Sequence, residues 1–214
     1  MIDSSDIIRF PAILFCLTIH EYAHGYMALR MGDHTAEYEG RLTLNPVSHL
    51  DIFGTIMLLF GPFGWAKPVP VNPYNFRNPR KDMIKVAFAG PAINLIAAML
   101  VGLLLRMLDY LPPFAYEQQI GSFLVVTMMI NLGLAFFNLL PVPPLDGSNI
   151  LLGFMKPEQV IKYQKIMVRV PMIFLALIAA EWMFKIPIFS MLMYPLWTPF
   201  KNFFQFLIFQ RILF

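Results

Sequence analysis

Residues 7–31 read IIRFPAILFCLTIHEYAHGYMALRM. The run is apolar and long enough to cross ~30 Å of hydrocarbon at ~1.5 Å of helix rise per residue, yet it holds His20, Glu21 and His24. Two histidines four apart share one face of a helix, where both imidazoles reach one Zn²⁺ ion. The glutamate beside the first can act on a water at that ion. Ionisable side chains at membrane depth are costly, so three of them within five residues mark a functional site. The stretch predicts a membrane helix carrying metal-dependent hydrolytic chemistry below the membrane surface.

Composition supports that reading. Of 214 residues, 58% are hydrophobic and 14% charged, whereas soluble domains run near ~25% charged. An integral membrane protein is expected. The net charge is +3, but the basic residues gather in particular loops, which points to membrane orientation rather than to a polyanionic partner. With no basic patch interleaved with aromatics and no Gly-rich phosphate loop, nucleic acid and nucleotide are not expected partners. Cys16 is the only cysteine, so an internal disulfide is impossible and packing must hold the fold. Asp3 and Asp6 stand where a signal peptide would be basic, which predicts that the first helix is retained.

Helix-length apolar segments lie at about 7–30, 84–108, 121–142, 166–184 and 187–209, each near the ~20 residues a span requires. The expected fold class is an all-α polytopic membrane protein with about five transmembrane helices, its 214 residues forming a single integral membrane domain. Its core covers about 7–155, followed by C-terminal helices over about 160–210. A sixth apolar stretch, Ile52 to Trp65, is broken by Gly54, Gly61, Pro62 and Gly64 and reads as a short re-entrant helix. The loop from Arg30 to Lys85 is rich in Lys and Arg, as is the stretch after Asp146. Positive loops mark the cytoplasmic side. They predict a multi-pass protein of the cell membrane with its N-terminus outside and its C-terminus and active-site opening toward the cytoplasm. Within the first long loop, Glu39 to Pro46 alternates polar and apolar residues, as a small β-strand or hairpin would. The segment 67–73, KPVPVNP, is too rich in proline for a helix and should be extended.

Catalytic zinc usually takes three protein ligands and keeps a position for water, so His20 and His24 need a partner. Asp146 is the best candidate. It follows a proline-broken helix end, Asn138 to Gly147, and the first and third spans would both run inward and end near the same leaflet. His24 lies about six residues from the inner end of its span, roughly 9 Å.

These residues resemble the site-2 proteases, zinc intramembrane metalloproteases of peptidase family M50. The resemblance rests on His20-Glu21-x-x-His24, on the Asn-x-x-Pro-x-x-x-Leu-Asp-Gly pattern at 138–147, and on Gly90-Pro91-Ala92-Ile93-Asn94 in the helix between them. Residues 41–46, 49–51 and 63–70 look like the compact subgroup without a PDZ or CBS domain. The resemblance covers about residues 10–155. It implies one zinc ion per chain, held by His20, His24 and Asp146, with Glu21 as general base and acid and Asn138 as a polar group near the scissile carbonyl. It also implies single-span membrane proteins as substrates, within the lipid bilayer. An exposed strand edge formed by Arg41, Leu42, Thr43 and Leu44 would bind an unwound substrate by strand addition.

Plainer roles compete at each position. Asp146 before Gly147 could cap a helix. Asn94 and Asn131 read as packing contacts between helices, as Asn138 could be. Cys16 lies one turn before His20 but reads as packing, because a fourth ligand would close the site to water. His34 reads as a solvated loop residue, and His49 as a loop histidine near the interface with a possible place near substrate. At the level of function, a metal-ion carrier using the same ligands and a proteolytically silent binder of membrane helices are the two competing classes. Zinc flux that survives Glu21→Gln would favour the carrier.

Overall fold

In a computed structural model of the chain, residues 4–61, 64–112 and 115–210 are described, with side chains from residue 9 onward. The elements in order are α1 (Ser4–Met31), α2 (Thr35–Tyr38), α3 (Ile52–Phe60), α4 (Pro79–Leu108), α5 (Glu117–Leu139), α6 (Asp146–Phe154), α7 (Pro157–Met167), α8 (Val170–Phe184) and α9 (Ile188–Phe209). Short 3₁₀ turns at Pro46–His49, between α2 and α3, and at Pro73–Asn75, between α3 and α4, shape the long loop.

Helix α4 is the hub, with α1, α5 and α6 packed along it. Small residues make this possible: Ala12, Cys16 and Ala28 of α1 and Gly90, Ala97, Ala98 and Gly102 of α4 are buried. Such residues let helix backbones approach where lipid gives no hydrophobic drive to associate. The start of α4 is fixed by Asn78, whose Oδ1 accepts from Lys81 N–H while its own N–H reaches Asp82 Oδ2 at 2.8 Å, with Pro79 at the first helical position. At the other end of the bundle Ala98, Met128, Leu132 and Ile208 pack α4, α5 and α9 together.

Among the described residues, three helical stretches are long and apolar enough to cross a membrane: Pro79–Leu108, Glu117–Leu139 and Pro157–Phe184. The last joins α7 and α8. The expected first and fifth spans form helices α1 and α9 but fall short of that apolar density. The reason is compositional: α1 carries His20, Glu21, His24 and Arg30, and α9 carries Lys201, Asn202, Gln205 and two prolines.

Two further expectations meet different outcomes. Residues 52–60 do form a short helix, α3, capped by Asp51 on Gly54 N–H at 2.8 Å, with Ile52, Phe53 and Phe60 exposed. The strand or hairpin over Glu39 to Pro46 is absent, since the described residues there adopt turn and irregular backbone and then a 3₁₀ turn. Alternation alone cannot make a strand without a ladder partner. The nearby extended segment 67–73 carries prolines at 68, 70 and 73 and lacks the donors a ladder needs. One isolated antiparallel bridge, Leu50 with Ala66, is all that forms between the loop's two arms among the described residues.

Candidate metal centre

His20 and His24, one turn apart on α1, turn their Nε2 atoms toward the same point, 3.0 Å from each other. Asp146, the first residue of α6, brings Oδ2 to 3.3 Å from His20 Nε2 and 3.2 Å from His24 Nε2. Those three separations match the ~3.3 Å edge of a tetrahedron with ligands ~2.0–2.1 Å from its centre. His20, His24 and Asp146 form the metal-type cluster found among the described residues.

Hydrogen bonding behind the rings fixes what these atoms are. His20 Nδ1 lies 2.6 Å from Asn94 Oδ1, and His24 Nδ1 lies 2.8 Å from the Val86 carbonyl. Both partners are acceptors, so both Nδ1 atoms carry the proton and both Nε2 atoms present lone pairs. Asp146 Oδ2 is buried and has no hydrogen-bond donor. Two lone pairs and an anionic oxygen thus converge with no donor among them, which is repulsive unless a cation lies between. The residues fit zinc.

Asn94 is the residue whose role the sequence concealed. Its Nδ2 donates to Cys16 O at 3.1 Å and to Asn131 Oδ1 at 2.7 Å, which leaves Oδ1 for His20. Asn131 is set in turn by donating to Thr127 O at 2.9 Å and to Cys16 Sγ at 3.0 Å. All of Asn94, Asn131 and Cys16 are fully buried. The two asparagines do pack between helices as expected, and they also hold a ligand in its metal-binding tautomer, as outer-shell partners do. Cys16 belongs to this network and not to the converging cluster. The available sequence signal was Asn94 itself, a buried amide four residues after Gly90 on the partner helix.

Gly90 completes the fit from the α4 side. A Cβ built there would lie 2.4 Å from His24 Nε2 and 2.6 Å from Cε1 of both rings, so the helix backbone itself forms the wall behind the imidazoles. Gly147 does the same for Asp146. A Cβ at that position would come within 2.3 Å of Leu139 O and 2.4 Å of Leu140 O, so only glycine lets α6 begin tucked under the end of α5. Asp146 is not the helix cap, a position held by Leu145 without a side-chain bond.

Glu21, beside His20, reaches the loop, where its Oε2 accepts from Val69 N–H at 2.9 Å. Asn138, near the end of α5, donates from Nδ2 to Leu134 O at 3.0 Å and is not among the converging atoms. In the expected substrate segment, Arg41 is buried and donates from Nη2 to Lys67 O at 2.8 Å. Thr43 Oγ1 accepts from Asn45 N–H, Leu42 lies against the space beside Gly25, and Leu44 is exposed. His49 is buried, not at the surface, and one ring nitrogen lies 2.8 Å from Thr43 O. His34 is half exposed and pairs with Glu37.

A bundle of apolar helices with two histidines and an aspartate around one buried point, and a glutamate beside the first histidine, defines a metalloprotease-type zinc centre. The family model described as Peptidase family M50 matches residues 110–178, a segment that holds Asn138 and Asp146. A relative named "Putative zinc metalloprotease YwhC" from Bacillus subtilis is 44% identical over 149 residues, covering 68% of each chain. "Putative zinc metalloprotease Rip2" from Mycolicibacterium smegmatis is 33% identical over 68% of this chain and 56% of its own length. "Putative zinc metalloprotease MJ0611" from Methanocaldococcus jannaschii is 30% identical, with 68% of this chain and 69% of that protein covered. No solved structure matches this chain significantly. The chain belongs to peptidase family M50, the site-2 protease family, and its cofactor is Zn²⁺.

Proposed function

We propose that this chain is an intramembrane zinc metalloprotease that hydrolyses peptide bonds within or near transmembrane segments of membrane proteins. The observation that carries the proposal is the donor-free convergence of His20, His24 and Asp146 beside Glu21, on a 28-residue helix otherwise apolar enough to lie in lipid. Zinc, when bound, supplies a Lewis acid that polarises a carbonyl and acidifies water. Glu21 takes the proton from the attacking water as its oxygen joins the carbonyl carbon. The same carboxyl group then passes that proton to the amide nitrogen as the C–N bond breaks, leaving a carboxylic acid, which keeps the second proton of the water, and an amine. Asn138 hydrogen-bonds the scissile carbonyl from the end of α5.

The substrates are single-span membrane proteins, whose peptide bonds are hidden in helices until unwound. The loop over Arg41, Leu42, Thr43 and Leu44 receives the unwound stretch, with main-chain groups that lipid cannot supply. Five spans are assigned, with α1 and α9 crossing beside the three more apolar stretches, the N-terminus outside and the centre opening toward the cytoplasm. Exposed Ile52, Phe53 and Phe60 suit α3 to a re-entrant position.

Purified protein is expected to hold about one zinc per chain and to cleave a single-span substrate in a chelator-sensitive way. Glu21→Gln should keep the zinc and lose cleavage. Comparing membrane proteomes of cells bearing either form would identify substrates by the fragments that change. Cleavage that persists in Glu21→Gln refutes the proposal, and zinc flux into proteoliposomes that persists in it would place the chain among carriers.

A further inference from the structure

The segment 67–72, KPVPVN, runs along α1 from Glu21 toward Ala28 as a strap. Both of its ends are tied by buried side chains. At one end Lys67 O accepts from Arg41 Nη2 at 2.8 Å and Lys67 N–H donates to His49 O at 2.8 Å. At the other, Asn72 N–H donates to Asp33 Oδ2 at 2.7 Å, and Asp33 is further held by Thr35 and by Asn75 Nδ2. Between the ties, Pro68 and Pro70 have no N–H, so Val69 offers the sole donor of residues 68–70. That N–H meets Glu21 Oε2 at 2.9 Å. The Val69 side chain is buried, and its Cγ1 comes within 3.1 Å of where a Cβ on Gly25 would stand, one turn beyond Glu21 on the same helix. Val71 packs against the buried cluster of Ala28, Phe76 and Val86, with Ala28 about one turn further on.

We propose that the Val69 backbone N–H, held in place by this strap, is the positioning group for Glu21. It anchors Oε2 and leaves Oε1 as the oxygen that exchanges the proton. Among the described residues no other hydrogen bond reaches this carboxylate. A free glutamate on a helix samples many rotamers, and fixing one of its oxygens removes that freedom in the orientation the reaction uses. The flanking prolines serve the same end, since they pre-set the strap's backbone and deprive it of the donors a strand ladder would need. Arg41 and Asp33 then act at a distance, through the strap, rather than on substrate. This inference rests on Glu21 being the base.

Val69→Pro deletes the one hydrogen atom in question while keeping an extended backbone between prolines. The expected result is a kcat about tenfold to a hundredfold lower, with KM changed less than about twofold and full zinc content. Val71→Pro stiffens the same strap but leaves the Val69 N–H, and should retain at least about ten times the kcat of Val69→Pro. A kcat in Val69→Pro equal to or above that of the parent protein overturns the proposal, because the strap would then be irrelevant to the base or would obstruct it. Hydrogen exchange gives a readout independent of catalysis and of folding of the proline variants. Residues 67–72 hold four backbone N–H groups, and exchange of that peptide should quicken in Glu21→Ala. Unchanged exchange refutes the contact, whereas persistent cleavage in Glu21→Gln would refute the base and leave the exchange result standing.

Discussion

Replacing Asn94 with leucine tests whether the chain's outer hydrogen bonds set its affinity for metal. Leucine keeps the branched skeleton of asparagine but has no acceptor, so the His20 Nδ1–H that lies 2.6 Å from Asn94 Oδ1 would be left buried and unpaired. His20 is 4% exposed and Asn94 fully buried, so water cannot easily replace the lost partner. An orphaned buried donor costs about 1–3 kcal/mol. The ring can escape that cost by moving its proton to Nε2 or by rotating, and either change removes the lone pair from the metal position. Zinc affinity should therefore fall about tenfold to a hundredfold, the range seen for outer-shell partners of ligating histidines, equivalent to about 1.4–2.7 kcal/mol. Competition against a chromophoric chelator in detergent measures it directly. Asn131→Leu should produce a smaller loss in the same direction, because it frees Asn94 Nδ2 from one of its two acceptors and loosens the orientation of the amide. A zinc Kd within about twofold of the parent value in a folded Asn94→Leu protein would refute the reasoning.

Gly90→Ala should abolish metal retention while leaving α4 helical, since the added methyl group would lie 2.4 Å from His24 Nε2 and ligands must sit within about 0.2 Å of ideal distances. Metal analysis after gel filtration, beside circular dichroism, separates the two effects. Acid stability should depend on Asp33. Burial pushes its pKa up, but bonds from the Thr35 hydroxyl, Asn72 N–H and Asn75 outweigh this and leave it below the usual carboxylate value. A group with a depressed folded pKa contributes stability above its unfolded pKa of ~3.9 and loses that contribution as pH falls through the folded value. In chelator-stripped protein, melting temperature should fall between about pH 4 and pH 3 in the parent chain and less steeply in Asp33→Asn. Equal slopes would rule Asp33 out as a source of acid sensitivity.

Much of the centre is legible in the sequence. His20 and His24 follow from helical spacing and Asp146 from a proline-broken helix end, because those relations are local and ligand chemistry is restrictive. Asn94 and Asn131 read only as packing residues, because a buried amide looks the same in sequence whether it bonds a neighbouring helix or a metal ligand. The strand over 39–46 failed for a related reason. Alternation describes one segment, whereas a ladder needs a second with free N–H groups, and the neighbouring 67–73 is occupied by proline. Arg41, read as a residue facing substrate, instead turns inward to Lys67 O. The number of spans is the least legible property. The helices that bear function or proline, α1 and α9, carry the polar residues that blur a hydropathy signal.

The two imidazoles and the carboxylate are separated in the order of synthesis: α1 is made before α4 and α5, and Asp146 follows all three. A nascent chain halted before residue 146 owns a bidentate site, which loses metal readily to cellular competitors. Tight metal retention is thus expected only once all three ligands are in place. Pulse-labelled translation intermediates that already withstand chelation would contradict that view.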